Sequence, residues 1–387
     1  MPKLRFSYLF RVILLVMLGG TVVSSCCRHS KVTMLEEIQL GATGVSTKAI
    51  VTDQQSLIDL SYDNHTGFGV YGYKTIRTKQ YTYRQFNNTL VYPSATTNTS
   101  WTYSPKRYWD SAPGVTYQFA AYWPYLTEDS ISYTTETEDE KVLTINDIPN
   151  WQKESSGNDF LVATKYGSYR DANGNQTADF PNNYVNFSFK HILANVVVKG
   201  YYIGIKENHV NVLGMELSGT NMLTTGGNAD YTLPFAGQTN IAEGFGETVT
   251  TGNGAHTLLA TTSPAVTLPE SSWYNDNEND PNDYESSPIC SWFVVPSTGW
   301  QGLTLNVTYS LGDITQNPAP VAIQAAPVTG IALNTPVGET PNSGTTLPQY
   351  KYIITLKFNS ASNGIEVESI QVADWATVGI NTGVYNW

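Results

Sequence analysis

Apolar residues recur at every second position in segment after segment, the period of strands with one buried face. Val115, Tyr117, Phe119, Ala121 and Trp123 keep phase until Pro124 removes a ladder donor. Tyr350, Tyr352, Ile354, Leu356 and Phe358 repeat the pattern more cleanly than any other stretch. Shorter apolar runs at Phe68–Tyr73, Val142–Ile145, Asp159–Thr164, Val210–Leu217, Ile289–Val295 and Leu303–Tyr309 read as further strands. Between Phe187 and Val198 apolar residues occupy both phases, so that strand is expected to be covered on both sides. An opening strand is expected where Ile38, Leu40 and Ala42 alternate with polar residues. At the other end Ile370, Val372, Ala376, Val378, Ile380 and Val384 share one register. That tail is either a terminal strand of its own domain or an arm able to complete another sheet. Residues 150–152 and 155–158 read as loops, as do the Pro/Asn/Asp-rich stretches 275–283 and 319–347, which are expected to be exposed.

One apolar run does not fit this scheme. Lys3, Arg5 and Arg11 precede Val12–Leu18, and Val23-Ser24-Ser25-Cys26 follow after Gly19, Gly20 and Thr21. A membrane-spanning helix needs roughly 20 apolar residues, so the run reads as a secretion signal. An apolar residue, two small ones and then cysteine resemble the lipobox of bacterial lipoproteins, which makes Cys26 the lipidated first residue of the mature chain. The alternative is an ordinary cleaved signal whose paired cysteines, Cys26 and Cys27, later oxidise.

Composition narrows the function. Without the three signal-region cations, 18 Lys+Arg face 33 Asp+Glu, a balance near −15. No basic face for phosphates can be assembled from that, so nucleic acid is excluded as a partner. Beyond the signal region Cys290 is the only cysteine, so the body has no internal disulfide. Abundant Tyr, Trp, Thr and Gly describe an all-β secreted protein. About 360 mature residues amount to two domains as a soft expectation, and the polar stretch 171–183 marks the boundary.

Catalytic motifs are lacking. The histidines show no HExxH, no paired ligand spacing, and no GxSxG or CxxC accompanies them. His191, the one on an apolar face, reads as a core histidine with a satisfied hydrogen bond. Asp276, Glu278, Asp280 and Asp283 are spaced like a calcium loop, but Pro281 stands where such a loop needs glycine. A solvated loop is the simpler reading. No cofactor, metal or catalytic residue is assigned, and the chain reads as a non-enzyme. A surface glycan hydrolase is the minor alternative, because two unmarked carboxylates are able to meet in space.

An ordered set of short motifs then gathers: the lipobox at Cys26, Thr47-Lys48-Ala49 after the first strand, Gly69-Val70-Tyr71-Gly72-Tyr73 and Phe119-Ala120-Ala121-Tyr122-Trp123-Pro124. Asp159-Phe160-Leu161-Val162-Ala163, Phe187 through Ala194 and a last strand ending near Trp375 complete it. This resembles the fimbrillin family, the lipoprotein-precursor subunits of type V pili in Bacteroidales. The resemblance implies two tandem transthyretin-like β-sandwich domains: a signal over 1–25, a lipidated segment with a removable first strand over 26–48, and sandwiches over 49–183 and 184–387. It implies export to the outer membrane through palmitoylated Cys26 and cleavage between Lys48 and Ala49. It further implies that a neighbour's strand fills the vacated groove, with other pilus subunits as partners and host or bacterial surface ligands open. Lys48 stands where the family usually has Arg. Residues 370–387 are the candidate donor, through Ile370, Val372, Ala376, Val378, Ile380 and Val384. The alternative function is a non-polymerising, lipid-anchored surface module that binds glycan or host protein.

Overall fold

A strand with apolar side chains on both faces must lie between two layers, and Val115–Trp123 is such a strand. In the computed structural model it is central to a six-stranded antiparallel sheet. The order is Lys190–His191, Leu161–Ser168, Val115–Trp123, Phe68–Ile76, Tyr81–Pro93, Trp101–Tyr103. Val70, Phe119, Ala121, Leu161 and Ala163 enter one interior, rich in aromatic rings. Tyr71, Tyr73, Ala120, Tyr122 and Val162 enter a second. The structure describes residues 36–42, 67–76, 81–94, 101–137, 140–154, 159–203, 209–223, 226–237, 241–246, 251–268, 287–315, 320–333, 344–359 and 364–374. Residues 38–387 cluster as one unit, and residues 1–37 as another.

The second interior is shared by three more sheets. One runs Gly244–Phe245, Asn228–Pro234, Glu140–Pro149, Ile131–Thr137. Another runs Gly364–Asp374, Tyr350–Asn359, Ala194–Ile203, Ser287–Val294, Trp151–Lys153. Its one parallel pairing joins Ala194–Ile203 to Tyr350–Asn359. The third orders Thr251–Leu259, Val210–Leu223, Leu303–Leu311 and Ala322–Gln324, with Val266–Thr267 and Val328–Ile331 on flanking edges. Alternating Val196, Val198, Tyr352, Ile354, Leu356 and Phe358 meet in this interior. The fold is all-β, as the alternation implies.

Several expectations need correction. The stretch at 150–152 is no loop: Trp151–Lys153 pairs with Ser287–Val294, and the Trp151 indole donates to the Leu223 carbonyl at 3.4 Å. Polar spacers hid a strand there, as they did in Tyr81–Pro93, whose burial is irregular because half of it faces solvent. Residues 319–347 are only partly an exposed loop, since Ala322–Gln324 and Val328–Ile331 are strands and Ala325, Ile331 and Leu333 are buried. The 183/184 line is crossed by hydrogen-bonded strands. Tyr184–Phe187 pairs with Gln39–Ala42, Lys190–His191 with Leu161–Ser168, and Asn228–Pro234 with Glu140–Pro149. The polar stretch before it is pinned by Phe180, fully buried and packed against Trp109 at 4.7 Å.

Two glycines let the central strands lie this close to their cores. A Cβ on Gly69 would stand 2.2 Å from the Tyr122 ring, and one on Gly72 would stand 2.7 Å from Phe86 and 2.8 Å from Phe119. G69A is therefore expected to destabilise the chain by about 1–3 kcal/mol, the cost of overpacking. A fall in the urea midpoint at unchanged m-value is the measurement that checks it.

Candidate functional site

The residues to build from are Ile38 and Leu40, at 0% and 2% exposure the most completely hidden part of the chain's opening segment. Their i, i+2 spacing puts both on one face of the strand that continues through Gln39–Ala42. That strand is four residues long and makes a parallel ladder with Tyr184–Phe187 alone, in the register Gln39↔Tyr184 to Ala42↔Phe187. So short a ladder holds little by itself. Side chains do more: Ile38 and Leu40 join Phe68, Phe86, Tyr103, Trp109, Phe119, Val185 and Phe187 in the first interior. Phe68 lies edge-on to Trp101, Phe187 and Phe189, with centroids 4.9, 5.9 and 5.4 Å away. Each buried aliphatic side chain contributes roughly 1.5–3 kcal/mol.

A clip anchors the start of the strand. The Ile38 N–H donates to the Arg107 carbonyl at 2.9 Å, and the Ile38 carbonyl accepts the Tyr103 hydroxyl at 2.6 Å. The Arg107 N–H donates to the same hydroxyl at 3.2 Å. Lys106 places its ammonium 4.9 Å from the Tyr103 ring centroid, and Phe86 meets that ring edge-on at 5.4 Å. Withdrawal of the strand would take Ile38 from both clip partners, strip the ladder from Tyr184–Phe187 and uncover an aromatic interior. An interior so opened favours another apolar strand.

The other sequence-derived positions fall elsewhere. Cys26, Lys48, Ala49, Ala376, Val378, Ile380, Val384 and the 275–283 loop lie outside the described residues. Ile370 and Val372 do not belong to a free arm. They sit in Gly364–Asp374, opposite Ile354 and Tyr352 of the neighbouring strand, packed against the second interior. Their even phase is the phase of that sheet's buried face, so residues 364–374 are a strand of the molecule's own fold. The candidate donor shortens to the residues after Asp374.

His191 is buried, as its apolar neighbours imply, and its Nδ1 lies 2.9 Å from Oδ1 of Asp159. Burial pushes the Asp159 carboxyl up, opposed by the charge and hydrogen bond of His191. Thirty-two residues separate the two, so no local motif reveals the pair. His256 stacks on Trp151 at 4.0 Å and meets Trp292 edge-on at 4.6 Å. Burial lowers its pKa from 6.5 to about 4. The buried Cys290 thiol is pushed up to about 12 by burial, which suits a packing role. Among the described residues no three His, Cys, Asp or Glu side chains gather as a metal site requires.

The profile of the fimbrillin-like family matches residues 47–375. The chain belongs to that family. Similar solved structures include a fimbrial protein from Bacteroides vulgatus, 15% identical, TM-score 0.48, covering 88% of this chain and 99% of that one. The fimbrial anchor protein Mfa2 from Porphyromonas gingivalis is 10% identical, TM-score 0.29, with 90% and 100% coverage. No curated protein matches the sequence.

Two outcomes are expected of the site. L40A should lose about 2–4 kcal/mol in urea unfolding, from lost transfer energy and an incompletely collapsing cavity. His256 binds its proton near pH 6.5 when unfolded but only near pH 4 when folded. Stability is thus complete above pH 6.5 and falls as pH drops toward 4, by up to about 3 kcal/mol. Urea titrations across that window should show the slope, and H256F should flatten it.

Proposed function

We propose that this fimbrillin-like protein is a non-enzymatic structural subunit of a type V pilus, exported as a lipoprotein through Cys26 and supporting adhesion once assembled. Its first strand is removed by cleavage between Lys48 and Ala49, and the tail of a neighbouring copy replaces it. The single observation that carries this reading is the manner in which the first strand is held. Ile38 and Leu40 fill an aromatic interior, yet their backbone ladder is four residues long and reaches one partner strand. A segment with much side-chain burial and little main-chain integration is one that a similar strand is able to replace.

Energetics support the scheme. Loss of two fully buried aliphatic side chains removes roughly 3–6 kcal/mol, against a domain stability of about 5–15 kcal/mol. The cut subunit is left folded but open, and burial of new apolar side chains drives its association.

The tail's role and the cut are tested together. Deletion of Ala376–Trp387 is expected to leave a folded, exported protein that stays monomeric in electron micrographs and on gel filtration. The unaltered chain, extracted from surface fibres, should begin at Ala49. Fibres from the deletion variant, or a mature chain that keeps lipidated Cys26, would refute the reading.

A further inference from the structure

Among the side chains that the proposed function leaves idle, one is out of place. Asn195 is wholly buried, its Oδ1 accepts the Ser291 hydroxyl at 3.0 Å, and its Nδ2 has no hydrogen-bond partner among the described residues. A buried amide nitrogen left unpaired is rare and calls for a physical reason. Directly beside it stands Lys351, the register partner of Asn195 in the parallel ladder of Ala194–Ile203 with Tyr350–Asn359. We propose that Lys351 and Asn195 join in an intramolecular isopeptide bond, an autocatalytic modification that links these two strands covalently.

The neighbours of Lys351 suit that chemistry. Direct partners on adjacent strands stand about 4.8 Å apart with side chains on one face, and the four-carbon stem of a lysine is long enough to bring Nζ onto a neighbour's side-chain carbon. On its other flank Lys351 meets Ala373, whose methyl group gives an ammonium nothing to bind. Among the described residues no carboxylate is close enough to form an ion pair with it. A lysine must be neutral to attack an amide. Burial holds Lys351 below the ordinary lysine range, opposed by the carboxylate of Glu154 and aided by the like charge of Lys199. Glu154 follows Trp151–Lys153, two strands beyond Asn195, and its N–H donates to the Ser291 carbonyl at 2.9 Å. Its carboxylate is nonetheless felt at Lys351, so the two side chains lean toward each other over Asn195 and Ser291.

The reaction needs no co-reactant. The Glu154 carboxylate takes a proton from the Lys351 ammonium, and the freed Nζ attacks Cγ of Asn195. The Ser291 hydroxyl, already donating to Oδ1, stabilises the negative charge that builds there. Glu154 hands its proton to Nδ2 and accepts a second from the attacking nitrogen. The Cγ–Nδ2 bond then breaks, and the departing ammonia carries that second proton away as ammonium. One C–N bond replaces another, and nothing is oxidised or reduced. The unpaired Nδ2 is expelled, and the body gains a covalent tie that its single cysteine, Cys290, cannot supply as a disulfide.

Mass spectrometry of the full chain purified in its folded form tests the bond. Proteolysis is expected to yield a branched peptide that joins the Lys351 and Asn195 segments and weighs about 17 Da less than their sum, the mass of ammonia. K351R keeps the charge and removes the nucleophile, and should give the two segments separately at full mass. E154Q should slow bond formation by about a hundredfold, the range of a lost general acid and base, with E154D restoring part of it. Separate segments at full mass from the unaltered chain overturn the proposal, whether or not any variant folds. The same mass loss persisting in K351R overturns it too, since it then belongs to another amide. Equally fast linkage in E154Q overturns the part given to Glu154.

Discussion

Everything about this fimbrillin-like protein turns on the burial of two aliphatic side chains. Ile38 and Leu40 close an interior whose other walls belong to a six-stranded sheet and to Tyr184–Phe187. That interior is filled by large rings, among them Phe68, Phe86, Trp109, Tyr117, Phe119, Phe180 and Phe187. Ring-lined cavities do not collapse smoothly, because the rings hold one another in edge-on and stacked contacts. A missing strand therefore leaves a shaped slot. On the proposed assembly, the free energy that keeps the precursor closed is the same free energy that joins one subunit to the next.

The central sheet must serve two interiors at once, and its sequence reflects this. Val115–Trp123 and Phe68–Ile76 turn one set of side chains to the first interior and the alternate set to the second. Gly69 and Gly72 make room for Tyr122, Phe86 and Phe119. The first interior, which holds the opening strand, is thereby backed by a sheet anchored on its far side by a much larger core. On the proposed assembly, that anchoring is what lets the opening strand leave without loss of the rest. The buried His191–Asp159 pair ties the sheet's last short strand to the residue before Phe160, where both side chains are withdrawn from water. A partnered pair of this kind costs stability when one member is removed and adds little when both are replaced by apolar groups.

Alternation along the chain was enough to show an all-β fold, the opening strand at Ile38 and Leu40, the burial of Val197 on one face and of Val196 and Val198 on the other, and the buried state of His191. Each rests on local side-chain periodicity or on neighbours close in sequence. Partners distant in sequence were not visible this way. Tyr103, at the end of the short strand Trp101–Tyr103, and Arg107, in the polar stretch after it, hold Ile38, and Asp159 lies thirty-two residues from His191. The even phase of Ile370 and Val372 was real, but periodicity does not say whose sheet a strand joins. Only hydrogen bonds to Tyr350–Asn359 assign Ile370 and Val372 to the molecule's own fold.

The sequence by itself therefore determined the all-β class, the alternate faces of its apolar strands, the acidic balance of charge and the family, all of which are carried by single residues and their near neighbours. Tertiary structure decided which strand lies beside which, that the polar stretch before Tyr184 separates no sheets, and that the opening strand is held by a two-point clip and a four-residue ladder. Those features depend on contacts between residues tens to hundreds of positions apart, and the pattern of apolar and polar residues along a chain does not record them.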